Sequence, residues 1–448
     1  MAKLWKKSVD LDAEIEQFTV GNDYVLDMDL VEADVLGGIA HAKMLSSIGI
    51  LTEDDFRLLK EALKEILELR ERGEFVIQQC HEDVHTAVED YLTNKVGELG
   101  KKIHTGRSRN DQVLVDTRLY MRDRLLDIQY ETAQMADTLA RFGHTWREVP
   151  MPGRTHTNRA MPSSVGLWAG AFAESLTDDL ALLDTAAQLN DQCPLGSAAS
   201  YGVALPLDRQ MVADLLGFAK VQNNVLYANN SRGKIEAIVL FALTEIMHDL
   251  AKLANDLIFF SIPETGYFSL PEKYCPGSSI MPQKKNPGPL ELIRAKSAAV
   301  EAALFRVLNV TRALPSGYNR DFQETKGPLM EGLKVTESSL KVAGLIFDNL
   351  TVNKQTLLES FTPELFAADE ALEMAARGVP FRDAYKQVGL NLDKLANRDP
   401  RENILSKTHL GAPGNLGLEG LREQLAERIE QIKQTAKRIE GVKKSLLK

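Results

Sequence analysis

Cysteine is nearly absent from this chain. Cys80, Cys193 and Cys275 are the only three in 448 residues, far apart and in no C-x-x-C spacing. A disulfide framework and a cysteine-held metal are therefore not expected, and three reduced thiols fit a cytoplasmic protein. Also lacking is any uninterrupted apolar run of membrane-spanning length, and Met1 to Glu14 carries lysines without the apolar core of a signal peptide. Positive charge is not in excess either: 53 Lys and Arg against 63 Asp and Glu leave a formal net charge of -10. That argues against nucleic acid as the main partner, since phosphate binding relies on massed Lys and Arg. Short-period repeats and low-complexity tracts are missing, and apolar residues hardly ever alternate with polar ones at period two.

What is present is helical periodicity. Thr52-Glu53-Asp54-Asp55 has the form of a helix cap with an acidic first turn, followed by an apolar face of Phe56, Leu59, Leu63, Ile66 and Leu67. From Val113 to Trp146 the apolar positions Met121, Leu125, Ile128, Met135, Leu139, Phe142 and Trp146 follow steps of four and three, interrupted only at Thr132. Similar seams run over Val165 to Leu183, Ile235 to Phe260, Pro289 to Val307 and Leu329 to Leu350. Five long helices of this kind predict an all-α protein built on a central bundle. The division expected is an N-terminal helical domain over 1–111, the bundle over 112–355 and a small C-terminal helical domain over 356–448. Seams this long often continue into neighbouring subunits, so an oligomer is expected.

Polar islands interrupt the seams. Pro276 to Pro289 holds four prolines and two glycines in fourteen residues and runs into Leu290-Glu291-Leu292-Ile293-Arg294, which has a helical composition. A mobile loop feeding a helix start gathers backbone donors, lysines, hydroxyls and an amide, as a negatively charged reacting centre requires; a surface linker has the same composition. Lys101 to Asp111 is basic and precedes the longest seam, which suits a carboxylate or phosphate pocket or a solvated face. Met151 to Pro162 is predicted as a Pro- and Gly-bounded loop presenting His156, and Pro315 to Lys326 is a further mixed polar set. His81-Glu82-Asp83-Val84-His85 matches the H-E-x-x-H zinc pattern, but three fixed positions arise often by chance and no further ligand stands out, so no metal is expected.

Taken together, these islands resemble the fumarase/aspartase superfamily and, within it, the argininosuccinate lyases. The resemblance rests on G-S-S-I-M-P-Q-K-K-N-P at Gly277 to Pro287 and K-K-I-H-T-G-R-S-R-N-D-Q-V at Lys101 to Val113. It rests further on E-D-V-H at Glu82 to His85, P-G-x-T-H at Pro152 to His156, Y-N-R-D-F-Q-E-T-K at Tyr318 to Lys326 and G-V-P-F-R-D-A at Gly378 to Ala384. It implies an anti β-elimination that splits argininosuccinate into arginine and fumarate, with no metal or organic cofactor. Ser278 is implied as the base, His156 as the proton donor to nitrogen, Lys284 as the charge stabiliser and Glu291 as the partner of His156. Asp83, His85, Arg109, Asn110, Thr155, Arg232, Asn286, Tyr318, Gln323 and Lys326 are implied as substrate-holding residues. The resemblance also implies a homotetramer in which each active site draws on three chains.

Several positions depart from the family pattern. Arg154 stands where Tyr is common and Thr157-Asn158 where Leu-Gln is common. The S-D-R-D element is Asn230-Ser231-Arg232-Gly233, and the amino-terminal substrate serine has no clear counterpart around Gly21 to Asp23. These changes raise the expectation of an altered pocket, as for an acylated argininosuccinate. The alternatives are a superfamily lyase acting on adenylosuccinate and a non-catalytic structural relative; retention of Ser278, His156, Lys284 and Glu291 weighs against the last.

Overall fold

The computed structural model describes residues 12–448, so the reading of Met1 to Glu14 lies, up to residue 11, outside the described residues. After two short helices, Ala13–Val20 and Asp23–Leu26, helices α1 (Val31–Ser47), α2 (Glu53–Glu71) and α3 (Val84–Val96) close around Leu36, Leu63 and Val88. At the start of α2 the Thr52 hydroxyl accepts from Asp55 N at 3.0 Å, and the Asp55 carboxylate accepts from Thr52 N at 3.1 Å. The cap satisfies two backbone donors and fixes the register that buries Phe56, Leu59, Leu63 and Ile66.

The five seams form five long helices: α4 (Arg109–Thr145), α5 (Val165–Asn190), α6 (Lys234–Ser261), α7 (Gly288–Thr311) and α8 (Lys326–Phe347). Leu125, Leu176, Leu250, Val300 and Leu333, one from each, meet in one continuous core. Such burial of aliphatic side chains, each contributing about 1.5–3 kcal/mol, is what holds helices of this length side by side. No helix among the described residues is long and apolar enough to cross a membrane.

Two expectations need correction. The chain is mostly helical, but six short strands pair as three two-stranded sheets among the described residues. Within the first, Met151 to Pro162 is not a loop: β1 (Pro150–Thr155) and β2 (Asn158–Ser164) form an antiparallel hairpin whose tip is His156-Thr157. Three prolines are tolerated because a two-stranded ribbon leaves each strand one edge that needs no N–H donor. The C-terminal stretch, whose charged amphipathic pattern from Leu421 onward predicts a helix, ends in one that begins at Leu418 and runs to Leu447 as α9. Leu418, Leu425, Ile432, Ile439 and Leu446 recur every seventh residue and are all buried. Leu425 and Ile432 enter the bundle core and Leu446 the N-terminal core, whereas Ala371, Ala384 and Val388 form a small cluster of their own.

The bundle brings distant polar segments to one end. Helices α4, α6 and α8 start there with Arg109, Arg232 and Lys326 around one cavity. Helix α7 finishes there, because a Cβ on Gly233 would lie 2.2 Å from Thr311 Cγ2.

Candidate active site

The cavity encloses about 130 Å³. It is lined by Asp23 and Asp27 from the amino-terminal turns, Glu82, Asp83 and His85 before and in α3, Arg109 and Asn110 opening α4, Arg232 before α6, and Tyr318, Arg320, Gln323 and Lys326 leading into α8. Local capping aims these groups. Asp83 caps α3 by accepting from Thr86 N at 2.9 Å, and its other oxygen accepts from Arg109 Nη1 at 2.8 Å. Arg109 Nη1 also reaches Glu82 Oε2 at 3.0 Å. Ser108 caps α4 while Asp111 accepts from Ser108 N at 2.9 Å and, through its other oxygen, from Gly196 N at 2.9 Å and Ala198 N at 2.8 Å. Arg109 and Asn110 therefore project from a helix start tied on two sides.

Lys326 is buried, donates to Asp27 and lies 3.1 Å from Asp23. Burial opposes its charge, but Asp27 and Asp23 outweigh that and hold its amine above the usual lysine value. Asp23 is raised by the same burial, with Lys326 acting in the opposite direction. Gln323 Nε2 donates to Thr19 O and Val20 O, each at 3.1 Å, fastening the amino-terminal turns over the cavity.

His85 sits behind this floor with Nδ1 2.6 Å from Asp34 Oδ2 and 3.6 Å from Asp116 Oδ2. Desolvation disfavours the imidazolium, yet the Asp34 hydrogen bond and the charges of Asp34, Asp83 and Asp27 prevail and raise its proton affinity above the ordinary histidine value. A folded-state value above the unfolded one stabilises the protein fully below the unfolded value and loses that contribution as pH rises through the folded value. Replacing His85 by Asn should therefore cost most at acidic pH, on the order of 1.5–3 kcal/mol for a lost charged hydrogen bond, and progressively less toward pH 9. Urea melts of both proteins from pH 5.5 to 9 measure this; a gap that widens with pH would contradict it.

The zinc pattern does not form. His81 ends a 3-10 turn with Nδ1 accepting from Gln78 N at 3.0 Å, Glu82 has φ +70°, and α3 begins only at Val84. The two imidazoles consequently do not share a helical face. Asp34, His85 and Asp116 are the group of potential metal ligands found among the described residues. The 2.6 Å Asp34–His85 contact is a hydrogen bond, and the half-buried Arg107 already supplies positive charge to both carboxylates, so this set suits shared protons better than a cation.

The remaining candidates lie at the other end of α7. The flap before α7 is pinned at its neck by Asn286, whose backbone N donates to Pro276 O at 3.1 Å and whose side chain donates to Gly277 O at 3.3 Å. Ser278 Oγ accepts from Met281 N at 3.1 Å and Ile280 N at 3.4 Å. Lys284 and Glu291 are exposed on the flap and in the first turn of α7, and Thr155 and His156 are exposed at the hairpin tip. Among the described residues no hydrogen bond joins Glu291 to His156 within the chain. The 24 residues of α7 span ~36 Å, so in one chain Ser278 and Lys284 are held well away from the Arg109–Lys326 cavity.

A family model described as "Lyase" matches residues 6–301. An argininosuccinate lyase of Thermotoga neapolitana is 44% identical over 86% of this chain and 97% of its own. One of Phocaeicola vulgatus is 44% identical over 95% and 96%. The chain belongs to the argininosuccinate lyases. A crystal structure of EDDS lyase with formate shares the fold at TM-score 0.81 and 20% identity, covering 98% of this chain and 95% of that one. A class II fumarase of Schistosoma mansoni does so at TM-score 0.72 and 15% identity, covering 89% and 98%.

Within this lyase the structure brings together eight of the ten expected substrate-holding residues: Asp83, His85, Arg109, Asn110, Arg232, Tyr318, Gln323 and Lys326. It separates them from Thr155 and Asn286 and from Ser278, His156, Lys284 and Glu291. Sequence reasoning missed Asp23, Asp27, Glu82 as a pocket group, and Arg320. Two departures are also explained. Gly233 has φ +81° and abuts Thr311, so an aspartate does not fit there. Arg154 does not line the cavity of its own chain; its guanidinium donates to Thr157 O at 2.7 Å, which gives that side chain a structural task within the hairpin.

Proposed function

We propose that this chain catalyses the reversible anti β-elimination of argininosuccinate to arginine and fumarate, as a step of arginine biosynthesis in the cytoplasm. The observation that carries the reading is the charge make-up of the cavity. Arg109, Arg232, Arg320 and Lys326 face Asp23, Asp27, Glu82 and Asp83 in one small space. Within the chain these charges pair with one another, Arg109 with Glu82 and Asp83 and Lys326 with Asp23 and Asp27. A substrate that carries a succinyl dicarboxylate on its guanidinium and an ammonium and a carboxylate at its far end has a charge to offer each side of these pairs, whereas a simple dicarboxylate can address only the cations.

In this reading Ser278 Oγ takes the proton from the carbon beside a carboxylate, the C–N bond opposite breaks, and His156 returns a proton to the leaving nitrogen. The hard step places a second negative charge next to an existing carboxylate, so fixed cations and amide donors are the chief requirement. Lys284, Asn286 and the start of α7 fill it. A serine hydroxyl is a weak base; the Ile280 and Met281 amides already aimed at its oxygen, with Lys284 on the same flap, favour its alkoxide once water is excluded. Glu291 orients His156, and Thr155 helps hold the substrate.

The ~36 Å between the two ends of α7 means that one chain cannot close its own site. We therefore read the protein as a homotetramer whose sites combine the cavity of one chain, the flap of a second and the hairpin of a third. Phe241 on α6 and Leu292 and Phe305 on α7 are exposed large apolar side chains that such an assembly would cover. The three-part division at residues 111 and 355 belongs to the same proposal.

Incubation of purified protein with argininosuccinate should release fumarate and arginine in equal amounts, with no AMP formed from adenylosuccinate. Fumarate without arginine would sink the assignment.

A further inference from the structure

The hairpin tip is an unfavourable place for its own residues. His156 and Thr157 have φ +52° and +64°, and neither is glycine. Two-residue turns of this hand are normally made by Asn-Gly, Asp-Gly or Gly-Gly because a Cβ opposes left-handed backbone. Something outside the turn must therefore hold it. Arg154 Nη1 donates to Thr157 O at 2.7 Å, its Nη2 lies 3.5 Å from the Tyr267 hydroxyl, and its guanidinium carbon sits 4.8 Å over the Phe259 ring near the end of α6. Thr157 Oγ1 and Asn158 Nδ2 donate to His156 O at 2.6 and 3.3 Å. Arg154, Thr157 and Asn158 are the positions at which this hairpin departs from the family pattern, and together they form one network around the two turn carbonyls.

We infer that Arg154 is a positioning residue that bolts the His156 turn to the end of the bundle and so sets the direction of its imidazole. The inference rests on the reading of His156 as proton donor. It assigns the departures to bracing the donor rather than to a different substrate. A stacked, bidentate guanidinium suits the task because it ties backbone, hydroxyl and ring at once, which an ammonium cannot.

The test uses the assembled enzyme and four variants. Arg154→Met keeps length and cover over Phe259 but has no donor. It should lower kcat by roughly 10–100-fold with KM within about twofold, and should move the limb of the kcat–pH profile that reports the donor. Adding Thr157→Gly should return at least about half of the lost turnover, because glycine takes positive φ without support. Arg154→Lys, with one donor restored, should fall between wild type and Arg154→Met. Normal kcat and an unchanged profile in Arg154→Met would overturn the inference, as would a loss that Thr157→Gly does not relieve. His156→Asn separates the two levels: if it turns over normally, the donor reading itself fails and takes the inference with it, whereas its inactivity beside a fully active Arg154→Met defeats the bracing role alone.

Discussion

Replacing Ser278 by alanine should lower kcat by roughly 10²–10⁴-fold, the range expected for loss of a positioned proton-transfer group. KM should change little, because eight of the ten groups expected to hold the substrate sit in the Arg109–Lys326 cavity and Ser278 is not among the ten. Folding should be unaffected. Among the described residues the Ser278 hydroxyl accepts from two loop amides, and the flap around it is largely exposed from Gly277 to Lys285. Steady-state kinetics together with a thermal melt and a mass measurement of the assembly provide the check. A correctly assembled variant with near-normal turnover would remove Ser278 from the reaction and leave the flap as a cover.

The parts of the fold legible in the sequence were those with a strong period. Helices α4 to α8 follow seams that anyone can count, because each buries a continuous stripe against neighbours of similar length. The hairpin was hidden because Pro150, Pro152, Gly153 and Pro162 carry loop chemistry, and only a two-stranded ribbon reconciles that composition with strand geometry. The charged amphipathic pattern from Leu421 onward reads as a helix of the small C-terminal domain, because the seventh-residue stripe of α9 is too sparse to show that the helix packs along the bundle. At the site, motif resemblance reached residues whose chemistry is fixed by position, such as Arg109 and Lys326. It did not reach Asp23 and Asp27, which lie in short turns with no periodic signal and acquire a role only where Lys326 meets them. Nor can composition separate the basic side chains of the Lys101–Asp111 island. Lys101 pairs with Glu98 and the half-buried Arg107 sits in the field of Asp34, Asp111 and Asp116, while Arg109 alone of the basic residues there faces the cavity.

The division of one reaction between distant ends of α7 is the claim on which the account turns. An Arg109→Met chain keeps an intact flap and loses the cavity; a Ser278→Ala chain keeps the cavity and loses the flap. Each alone should be nearly inactive. Co-expressed with different tags and purified as mixed assemblies, they should recover about a quarter of wild-type turnover, since random mixing gives one site in four an intact cavity from one chain and an intact flap from another. Activity that stays at the level of the two parents, in assemblies shown to contain both chains, would mean that cavity and flap come from a single chain and would contradict the account.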